Sequence, residues 1–318
     1  MLLSNTLGNG WVVPADEAAV AAASDLLRGG QIVAIPTETV YGLAADASNA
    51  GAVAKIYAAK GRPDFNPLIV HVPDKAAAER LAVFDALADR LAAAFWPGPL
   101  TLVLPVRDDA PVTRAVTAGL PTIAIRCAAH PVMQAVLAAS HLNLAAPSAN
   151  ISGGISPTRA EHVLASLGGA VPMILDAGPC AAGLESTIVA VRPSGWQRLR
   201  PGPVTVEAIS AIAGSPPLDI AHENIEAPGQ LASHYAPSKA LRLNADAVRA
   251  DEYLIGFGSL GGDDNLSASS DLAQAAAQLF DALHRADASD AKTIAVVPIP
   301  DNGIGIAIND RLARAAAQ

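Results

Sequence analysis

Short apolar runs separated by stretches of helical spacing make up the first part of the chain. The runs predict strands at Gln31–Ile35, Leu68–Val72, Leu100–Val106, Pro121–Arg126 and Leu142–Ala146, and a hairpin of Glu185–Val191 with Trp196–Arg200. Helical spacing predicts helices at Asp16–Arg28, up to Lys60, and at Lys75–Leu81, Asp85–Phe95, Pro131–Ser140 and Val204–Ala213. Strands that alternate with helices indicate an α/β domain with substantial parallel pairing, and such sheets bind ligands beyond the carboxyl ends of their strands.

The final part of the chain repeats this alternation on a smaller scale. It predicts strand Tyr253–Phe257, helix Leu272–His284, strand Thr293–Val297 and helix Asn309–Ala317, which together form half of a doubly wound sheet. Residues 256–261 read GFGSLG and match GxGxxG, but the polar residues that follow predict no helix, so a dinucleotide site is not expected. A proline-rich stretch at 214–237 predicts a linker. We therefore expect a first domain at 1–203, a linker at 204–240 and a small second domain at 241–318.

The stretch from Pro36 to Val72 carries the densest group of candidate functional side chains. Pro36 ends the first predicted strand, because proline cannot donate to a central ladder, and a loop with two threonines follows. After the next helix, Gly61 suits a left-handed C-cap and Pro63 prevents the helix from resuming. A strand, a polar loop, a helix, a basic turn and a second strand can thus bring the basic turn near the threonines.

Lys60 and Arg62 lie one residue apart in this turn and suit a polyanionic ligand. Arginine offers a planar fork for phosphate oxygens and lysine a compact charge. Alternatively, Lys60 complements the negative end of the preceding helix while Arg62 is solvated. The spacing alone does not decide between these interpretations.

Other polar side chains lie at predicted strand ends. The alternating strand at 121–126 presents Thr122 and Arg126 on one face, so Arg126 either extends from a sheet edge or points into the same site as the basic turn. The predicted hairpin brings Ser186, at the start of one strand, near Arg200, at the end of its partner.

Ser148 and Asn150 follow a predicted strand end, two residues apart. They would face one pocket and donate or accept hydrogen bonds without adding charge, although both are also ordinary turn residues. Gly153 and Gly154 can let backbone amides approach an anion.

Composition and charge narrow the function classes. With 318 residues, 51% of them hydrophobic and 16% charged, the chain is long and apolar enough for two packed domains. A net charge of −9 argues against stable, non-specific nucleic-acid binding, which needs a basic footprint.

Met1–Asn9 does not read as a signal peptide, no apolar run is long enough to cross a bilayer, and Cys127 and Cys180 form no CxxC pair. We therefore expect a cytoplasmic protein with reduced, buried thiols. Patterns for a Walker loop, HExxH and an EF-hand are absent, so no protein-built metal site is expected.

Seven short motifs occur in one order along the chain: PTETVYGL, KGRPDFNPL, TIAIR, PSAN, ESTIV, LRPG and HYAP. Together they make the chain resemble the threonylcarbamoyl-AMP synthases of the YrdC-like superfamily. The ending GIAINDRLARAAA also resembles that family's second domain. The resemblance implies a YrdC-like catalytic domain, a twisted mixed sheet with flanking helices, followed by a smaller Rossmann-like α/β domain. It also implies the reaction of L-threonine, bicarbonate and ATP to threonylcarbamoyl-AMP and pyrophosphate, for modification of tRNA beside the anticodon by a separate transferase.

Matched residue by residue, the resemblance also implies a binding site. Threonine would be held by Thr39, His71, Arg126 and Ser186. ATP would be held by Lys60, Arg62, Asn66, Thr122, the backbone of Ala146, Ser148, Asn150, Ser156, Arg200 and the linker residue Tyr235. Lys60 and Arg62 would stabilise charge during the reaction, together with Mg²⁺ carried on the phosphates and water. The linker would fold over the site as a lid that excludes water.

Two other functions stay open at this point. A YrdC-like fold can serve as an RNA-binding module, which the negative net charge disfavours. A carbamoyltransferase domain of hydrogenase maturation is the other alternative, although the chain lacks zinc-finger cysteines and an acylphosphatase-like segment.

Overall fold

The computed structural model describes residues 11–220, 225–230 and 234–317. The strands of the first domain are β1 (Trp11–Pro14), β2 (Val33–Ile35), β3 (Gly42–Asp46), β4 (Ile69–His71), β5 (Leu100–Pro105), β6 (Thr122–Arg126), β7 (Leu144–Ala145), β8 (Met173–Asp176), β9 (Thr187–Arg192) and β10 (Gly195–Arg200). Its helices are α1 (Glu17–Arg28), α2 (Ala50–Lys60), α3 (Lys75–Glu79), α4 (Ala86–Phe95), α5 (Arg114–Thr117), α6 (Pro131–Ser140) and α7 (Ala160–Leu167), and α8 (Val206–Ala213) follows β10.

Within the described residues, the first domain is built on a ten-stranded mixed sheet of order β1-β8-β2-β3-β7-β4-β6-β5-β9-β10. Strand β4 pairs antiparallel to β7 and parallel to β6 near the middle of the sheet. The parallel pairing places His71 opposite Arg126 at the carboxyl ends of β4 and β6. The predicted hairpin is confirmed, since β9 and β10 pair antiparallel. This mixed sheet agrees with the fold class that the motifs imply.

Local sequence chemistry explains where the helix before the basic turn begins and ends. Asn49 caps the start of α2 by accepting a hydrogen bond from the backbone of Ala52. Gly61 ends the helix with φ 58°, a left-handed conformation that costs glycine nothing. The chain therefore turns sharply between Lys60 and Arg62, and their side chains leave the turn in different directions.

Five elements of the first domain are not predicted by the sequence pattern: β1, β3, α5, α7 and β8. Strand β3 reads GLAAD and has no β-branched or aromatic residue, so local propensity does not indicate a strand. It forms because antiparallel partners on both sides, β2 and β7, satisfy its backbone groups and bury it. The polar loop before it is consequently a tight connection between adjacent strands.

The second domain is confirmed as a smaller parallel α/β unit. It comprises β11 (Ala240–Arg242), β12 (Glu252–Gly256), β13 (Asp264–Asn265), α9 (Leu272–Ala288), β14 (Thr293–Val296) and α10 (Gly305–Ala316). The strands pair parallel in the order β11-β14-β12-β13. The glycine-rich stretch after β12 forms a tight turn, with the Phe257 amide bound to the Leu260 carbonyl, and no helix opens there.

The second domain packs directly on the first. Its hydrophobic core also includes Val40, Ile155 and Leu184 of the first domain and Tyr235 of the linker. Gly183 has φ +67°, and a Cβ there would lie 2.4 Å from the Cα of Ala277 in α9. This contact leaves no room for a side chain.

Some sequence predictions concern residues outside the described part of the chain. They are the opening residues 1–10, residues 221–224 and 231–233 of the predicted linker, and residue 318. Among the helices that are described, none combines the length and apolar character needed to span a bilayer.

Candidate active site

One cavity lies where the loop after β2, the end of α2, several strand ends and the linker meet. Its lining consists of Thr37, Thr39, Val40, Gly42, Arg62, Ile69, His71, Arg126, Ala146, Pro147, Ser148, Glu185, Ser186, Arg200, Pro228, Gly229, His234 and Tyr235. Arg62, Arg126 and Arg200, which lie far apart in the sequence, therefore face one cavity because the tertiary fold brings them together.

Arg126 is held rigidly at the end of β6. Its Nη1 donates to Thr39 Oγ1 at 2.8 Å, and its Nε donates to the Gly98 carbonyl at 3.2 Å. Its Nη2 lies 2.7 Å from a carboxylate oxygen of Glu38. Burial acts to raise the pKa of Glu38, but the Arg126 charge, together with hydrogen bonds from Arg126 and from the backbone, outweighs burial, so the net pKa is lowered. The pair can present a guanidinium at a fixed position to a ligand carboxylate.

The loop after β2 is shaped by its own threonines. Thr37 Oγ1 donates to the Val40 carbonyl at 2.6 Å and accepts from the backbone N–H groups of Thr39 and Val40. It also lies 2.8 Å from Thr39 Oγ1. This local network is typical of Ser/Thr turns and fixes the Thr39 hydroxyl beside Arg126.

His71 is buried and uncharged at neutral pH. Burial, reinforced by the Arg126 charge, lowers its pKa to about 3. Its Nδ1 has no hydrogen-bond partner among the described residues. A buried polar atom without a partner in a cavity wall can bind a ligand group.

Ser186 and Arg200 form the next part of the wall. Arg200 donates from Nε and Nη2 to the Ser186 carbonyl, at 3.1 and 3.0 Å, and from Nη1 to the Pro228 carbonyl at 3.3 Å. The Ser186 hydroxyl lies 2.7 Å from Thr101 Oγ1 and also accepts from Arg200. The hairpin thus brings Ser186 and Arg200 together, as the sequence predicts.

Arg62 completes a cationic wall. Its Nε and Nη2 donate to the backbone carbonyls of Asn66 and Pro67, at 3.2 and 2.8 Å. Burial lowers the pKa of Arg62 to about 10, and the Arg200 charge also acts to lower it. Burial lowers the pKa of Arg200 as well. Both guanidinium groups bind mainly neutral carbonyls, so an anion would stabilise them.

Lys60 lies behind this wall and is absent from the cavity lining. Its ammonium donates to the carbonyls of Ser148 at 2.6 Å and Asn150 at 2.5 Å. Burial, followed by the Arg62 charge, places its pKa well below the ordinary value. In this structure Lys60 holds the loop that carries Ser148, and its expected contact with phosphate stays a prediction.

The remaining predicted ATP residues divide into two groups. Ala146 and Ser148 line the cavity. Asn150 instead donates to the carbonyls of Ile151 and Gly154 and stabilises the following turn. Five of the predicted ATP residues are outside the cavity lining: Lys60, Asn66, Thr122, Asn150 and Ser156.

Thr122 and Ser156 are predicted ATP residues that lie outside the cavity lining for different reasons. Thr122 begins β6 opposite Pro105, whereas Arg126 ends that strand, so they share a face without touching the same part of it. The Ser156 hydroxyl is fully buried and donates to Glu185.

Sequence reasoning missed several residues of the site. Glu38, Glu185 and His234 each precede a predicted residue in one of the motifs, and that adjacency was the available signal. Arg311, in α10, pairs with Glu185 at 2.8 Å; it lies in the ending motif GIAINDRLARAAA, which indicates a second domain but no contact with the site. Burial lowers the pKa of His234 to about 3, so this side chain is also neutral.

The described part of the linker closes one side of the cavity. Tyr235 is 1% exposed, and its hydroxyl has no hydrogen-bond partner among the described residues. It has φ +64°, a strained conformation for tyrosine. The next residue, Ala236, donates from its backbone to the Gly153 carbonyl at 2.8 Å, which ties the linker to the first domain.

The buried histidines predict a pH dependence of stability. His71 and His234 have pKa values of about 3 in the folded state, and that of His284 is about 4, against about 6.5 when unfolded. The unfolded chain therefore binds more protons below pH 6.5, and the free energy of unfolding must fall as pH falls. We expect a loss of about 2 kcal/mol per histidine between pH 6.5 and 4.5, measured by urea unfolding.

Between pH 6.5 and 4.5 the change in the free energy of unfolding reports the histidines rather than the carboxylates. Glu38 and Glu185 have lowered pKa values, so their contribution is lost mainly below pH 4.5. Replacing His284 by glutamine should flatten the slope between pH 6.5 and 4.5. A free energy of unfolding that is constant across this window in the unmodified chain would contradict the prediction.

The fold and the cavity define a class: a YrdC-like mixed-sheet domain with an arginine-lined cavity, joined to a small parallel α/β domain. Residues 25–202 match the Sua5, YciO and YrdC family model, described as telomere recombination, and residues 204–317 match the threonylcarbamoyl-AMP synthase C-terminal domain. The chain therefore belongs to the threonylcarbamoyl-AMP synthase family, in its two-domain form.

Similar proteins cover nearly the whole chain. The threonylcarbamoyl-AMP synthase of Bacillus subtilis is 40% identical over 321 residues, covering 93% of this chain and 92% of the relative. That of Pyrococcus abyssi is 36% identical, covering 95% of each chain. The crystal structure of P. abyssi Sua5 complexed with L-threonine superposes with a TM-score of 0.87 at 34% identity and covers 96% of both chains.

Proposed function

We propose that this chain is an L-threonylcarbamoyladenylate synthase, which makes threonylcarbamoyl-AMP and pyrophosphate from L-threonine, bicarbonate and ATP. The observation that carries the proposal is the meeting of Arg62, Arg126 and Arg200 in one cavity. Membership of the family and similarity to a relative crystallised with L-threonine support it.

The threonine half of the site is assigned to the groups around Arg126. The guanidinium would bind the carboxylate of the amino acid, and Thr39 and Ser186 would bind its polar groups. His71 is too weak a base to take a proton from an ammonium at neutral pH, because its pKa is about 3. Its role is therefore to accept or donate a hydrogen bond and orient the substrate, without adding a charge.

The nucleotide half is assigned to the other two arginines and their neighbours. Arg62 and Arg200 would bind phosphate oxygens, and Ser148 and the Ala146 backbone would bind polar groups of the nucleotide. Asn66, Asn150 and Ser156 are proposed to shape this half from outside the present lining, where their contacts support the surrounding loops. The contact of Thr122 with ATP stays a prediction, because Thr122 begins β6 whereas Arg126, in the lining, ends it. Lys60 is proposed to position the Ser148 loop from behind.

The chemistry needs positioning and charge stabilisation more than covalent help from the protein. The uncharged threonine amine adds to the carbon of bicarbonate, and water leaves to give a carbamate. A carbamate oxygen then attacks the α-phosphorus, the bond to the bridging oxygen breaks, and pyrophosphate leaves with that electron pair. Buried arginines stabilise charge developing on the phosphates, since a low-dielectric site strengthens their effect.

Mg²⁺ is proposed to accompany ATP on the phosphate oxygens and water. Glu185, the carboxylate in the cavity lining, is already bound by Arg311 and Ser156, so it is not an available metal ligand here. In the described part of the chain, no group of three or more His, Cys, Asp or Glu could hold a metal ion. When bound, the ion would neutralise phosphate charge alongside Arg62 and Arg200.

The linker is proposed to act as a lid over the reaction. Replacing Tyr235 by alanine should weaken ATP binding about tenfold and shorten the lifetime of the adenylate, because water would reach a hydrolysable mixed anhydride. ATP affinity by calorimetry and product decay by chromatography measure the two effects. Tyr253→Ala, which removes a tyrosine of the second domain far from the cavity lining, is the matched control. Unchanged affinity and product lifetime in Tyr235→Ala would exclude the lid.

The product is proposed to pass to a separate transferase that modifies tRNA beside the anticodon in the cytoplasm. We propose no stable binding of nucleic acid by this chain, whose net charge is −9. Filter binding of tRNA at two salt concentrations tests this point, because an RNA-binding module would bind tightly and with a steep salt dependence.

Pyrophosphate release tests the function directly. The assay contains the full chain with ATP, Mg²⁺, L-threonine and bicarbonate, and each component is omitted in turn. The proposed function requires release that depends on ATP, threonine and bicarbonate together. Release that is independent of threonine, or activity with carbamoyl phosphate in place of ATP and bicarbonate, would contradict it.

A further inference from the structure

Helix α10 of the second domain presses one fully buried guanidinium, that of Arg311, against the first domain. Its Nε donates to Glu185 Oε2 at 2.8 Å, and its Nη2 donates to the Pro201 carbonyl at 2.9 Å. Its guanidinium carbon lies 5.0 Å from the centre of the Tyr235 ring. Its Nη1 is 2.6 Å from Asp310, so every part of the fork has a partner.

These contacts reach three segments of the cavity wall. Glu185 lines the cavity and immediately precedes Ser186. Pro201 immediately follows Arg200, and Tyr235 belongs to the linker wall. One side chain of the second domain thus fixes three segments of the cavity wall, of which those of Arg200 and Tyr235 belong to the nucleotide half and that of Ser186 to the threonine half.

The charge on Glu185 explains why the pairing matters. Burial acts to raise the pKa of Glu185, but the charges of Arg311 and then Arg200, together with hydrogen bonds from Ser156 and Arg311, outweigh burial, so the net pKa is lowered. Arg311 binds one carboxylate oxygen and Ser156 the other. Without Arg311, the carboxylate would keep its charge only by turning to Arg200, which ATP needs.

The position of Arg311 is fixed by tight packing between the domains. Gly183, two residues before Glu185, touches α9 so closely that a Cβ would lie 2.5 Å from the Ala276 carbonyl oxygen. A ring nitrogen of His284 in α9 lies 3.2 Å from the Ser156 carbonyl. Both contacts join the second domain to the same segment of wall that Arg311 holds.

We propose that Arg311 is a positioning residue for the nucleotide half of the active site, supplied by the second domain. It keeps Glu185 away from Arg200, supports the ring of Tyr235 and fixes the backbone after Arg200. The inference rests on the proposed function in one respect, that the cavity binds ATP. The second domain therefore supports the wall of the active site.

Replacing Arg311 by methionine tests this role. We expect the dissociation constant for ATP to rise at least tenfold, while that for L-threonine changes less than threefold, both by calorimetry. Arg311→Lys keeps a charge beside Glu185 but loses the fork, so an intermediate affinity for ATP is expected. The double variant Arg311→Met with Glu185→Gln should recover much of the ATP affinity, because no unpaired carboxylate remains to compete for Arg200.

Arg242→Met is the matched control, because it removes a two-pronged ion pair with Glu252 inside the second domain and away from the cavity. It should lower the melting temperature without changing ATP affinity. The inference is overturned if Arg311→Met binds ATP like the unmodified chain. It is also overturned if the double variant recovers nothing, or if Arg311→Met and Arg242→Met weaken ATP and threonine binding equally. If Arg311→Met does not fold, Arg311→Lys replaces it in the test, and an ATP affinity of Arg311→Lys equal to that of the unmodified chain overturns the inference.

The two proposals can fail separately. Absence of threonine- and bicarbonate-dependent pyrophosphate release from the unmodified chain would refute the proposed function. ATP affinity is measured without that reaction, so the comparison of Arg311 variants would still decide whether the second domain supports the nucleotide half.

Discussion

Replacing Arg126 by methionine is expected to lower kcat/KM for L-threonine about 10³-fold, equivalent to ~4 kcal/mol of transition-state stabilisation. The guanidinium is buried, fixed by Thr39 and the Gly98 carbonyl, and paired with Glu38. Its loss removes the partner of the threonine carboxylate and leaves Glu38 unpaired nearby. Initial rates of pyrophosphate release at varied threonine concentration measure the effect.

Two further variants show which of these causes dominates. In Arg126→Met with Glu38→Gln, repulsion by an unpaired carboxylate is absent, so any remaining loss reports the missing guanidinium. We expect most of the loss to remain. Arg107→Met removes an exposed arginine paired with Asp109, and exposed ion pairs contribute little, so this variant should leave kcat/KM for L-threonine unchanged. Full recovery of activity in the double variant would contradict the assignment of Arg126 to the threonine carboxylate.

Replacing Arg62 by methionine is expected to raise the dissociation constant for ATP and lower kcat, with kcat/KM for ATP falling about 10²-fold. The cause is the loss of a buried cation whose bound partners in the structure are neutral carbonyls. Threonine affinity, measured by calorimetry in the absence of ATP, should change little because Arg126 remains. Steady-state rates at varied ATP concentration give the first two quantities.

The contributions of the positive charge and of the planar guanidinium of Arg62 to activity can be measured separately. Arg62→Lys keeps a positive charge but cannot bind the carbonyls of Asn66 and Pro67 in the same way, so partial activity is expected. Arg114→Met, at an exposed position of α5, serves as the control for loss of a cation outside the cavity. If Arg62→Met impaired threonine binding and left ATP binding intact, the two halves of the site would have to be exchanged.

Ordered motifs predict residues that lie far apart in the sequence and line one cavity. Arg126, His71 and Ser186 line the cavity, although the sequence separates them by many residues. Their roles came from the resemblance to a family, since periodicity alone left Arg126 either at a sheet edge or in the site. Helix caps and the β9–β10 hairpin came from local chemistry, because those interactions join residues close in the chain.

The motifs do not indicate which way each side chain points. Lys60 and Arg62 share one motif, yet the left-handed Gly61 between them sends Lys60 behind the wall and leaves Arg62 in the lining. Ser156 similarly binds Glu185 in the interior. A motif records that a residue is near a site, whereas the backbone geometry decides whether it lines the cavity.

Local periodicity, capping and recognisable motifs are enough to predict the two α/β domains, most helix ends and several residues that line the cavity, among them Arg62, Arg126 and Arg200. They do not predict that β3 is a strand, that Lys60 lies behind the cavity, or that Arg311 of the second domain binds Glu185. Those outcomes depend on partners far away in the chain, whose distances and charges exist only once the sheet has formed and the domains have packed.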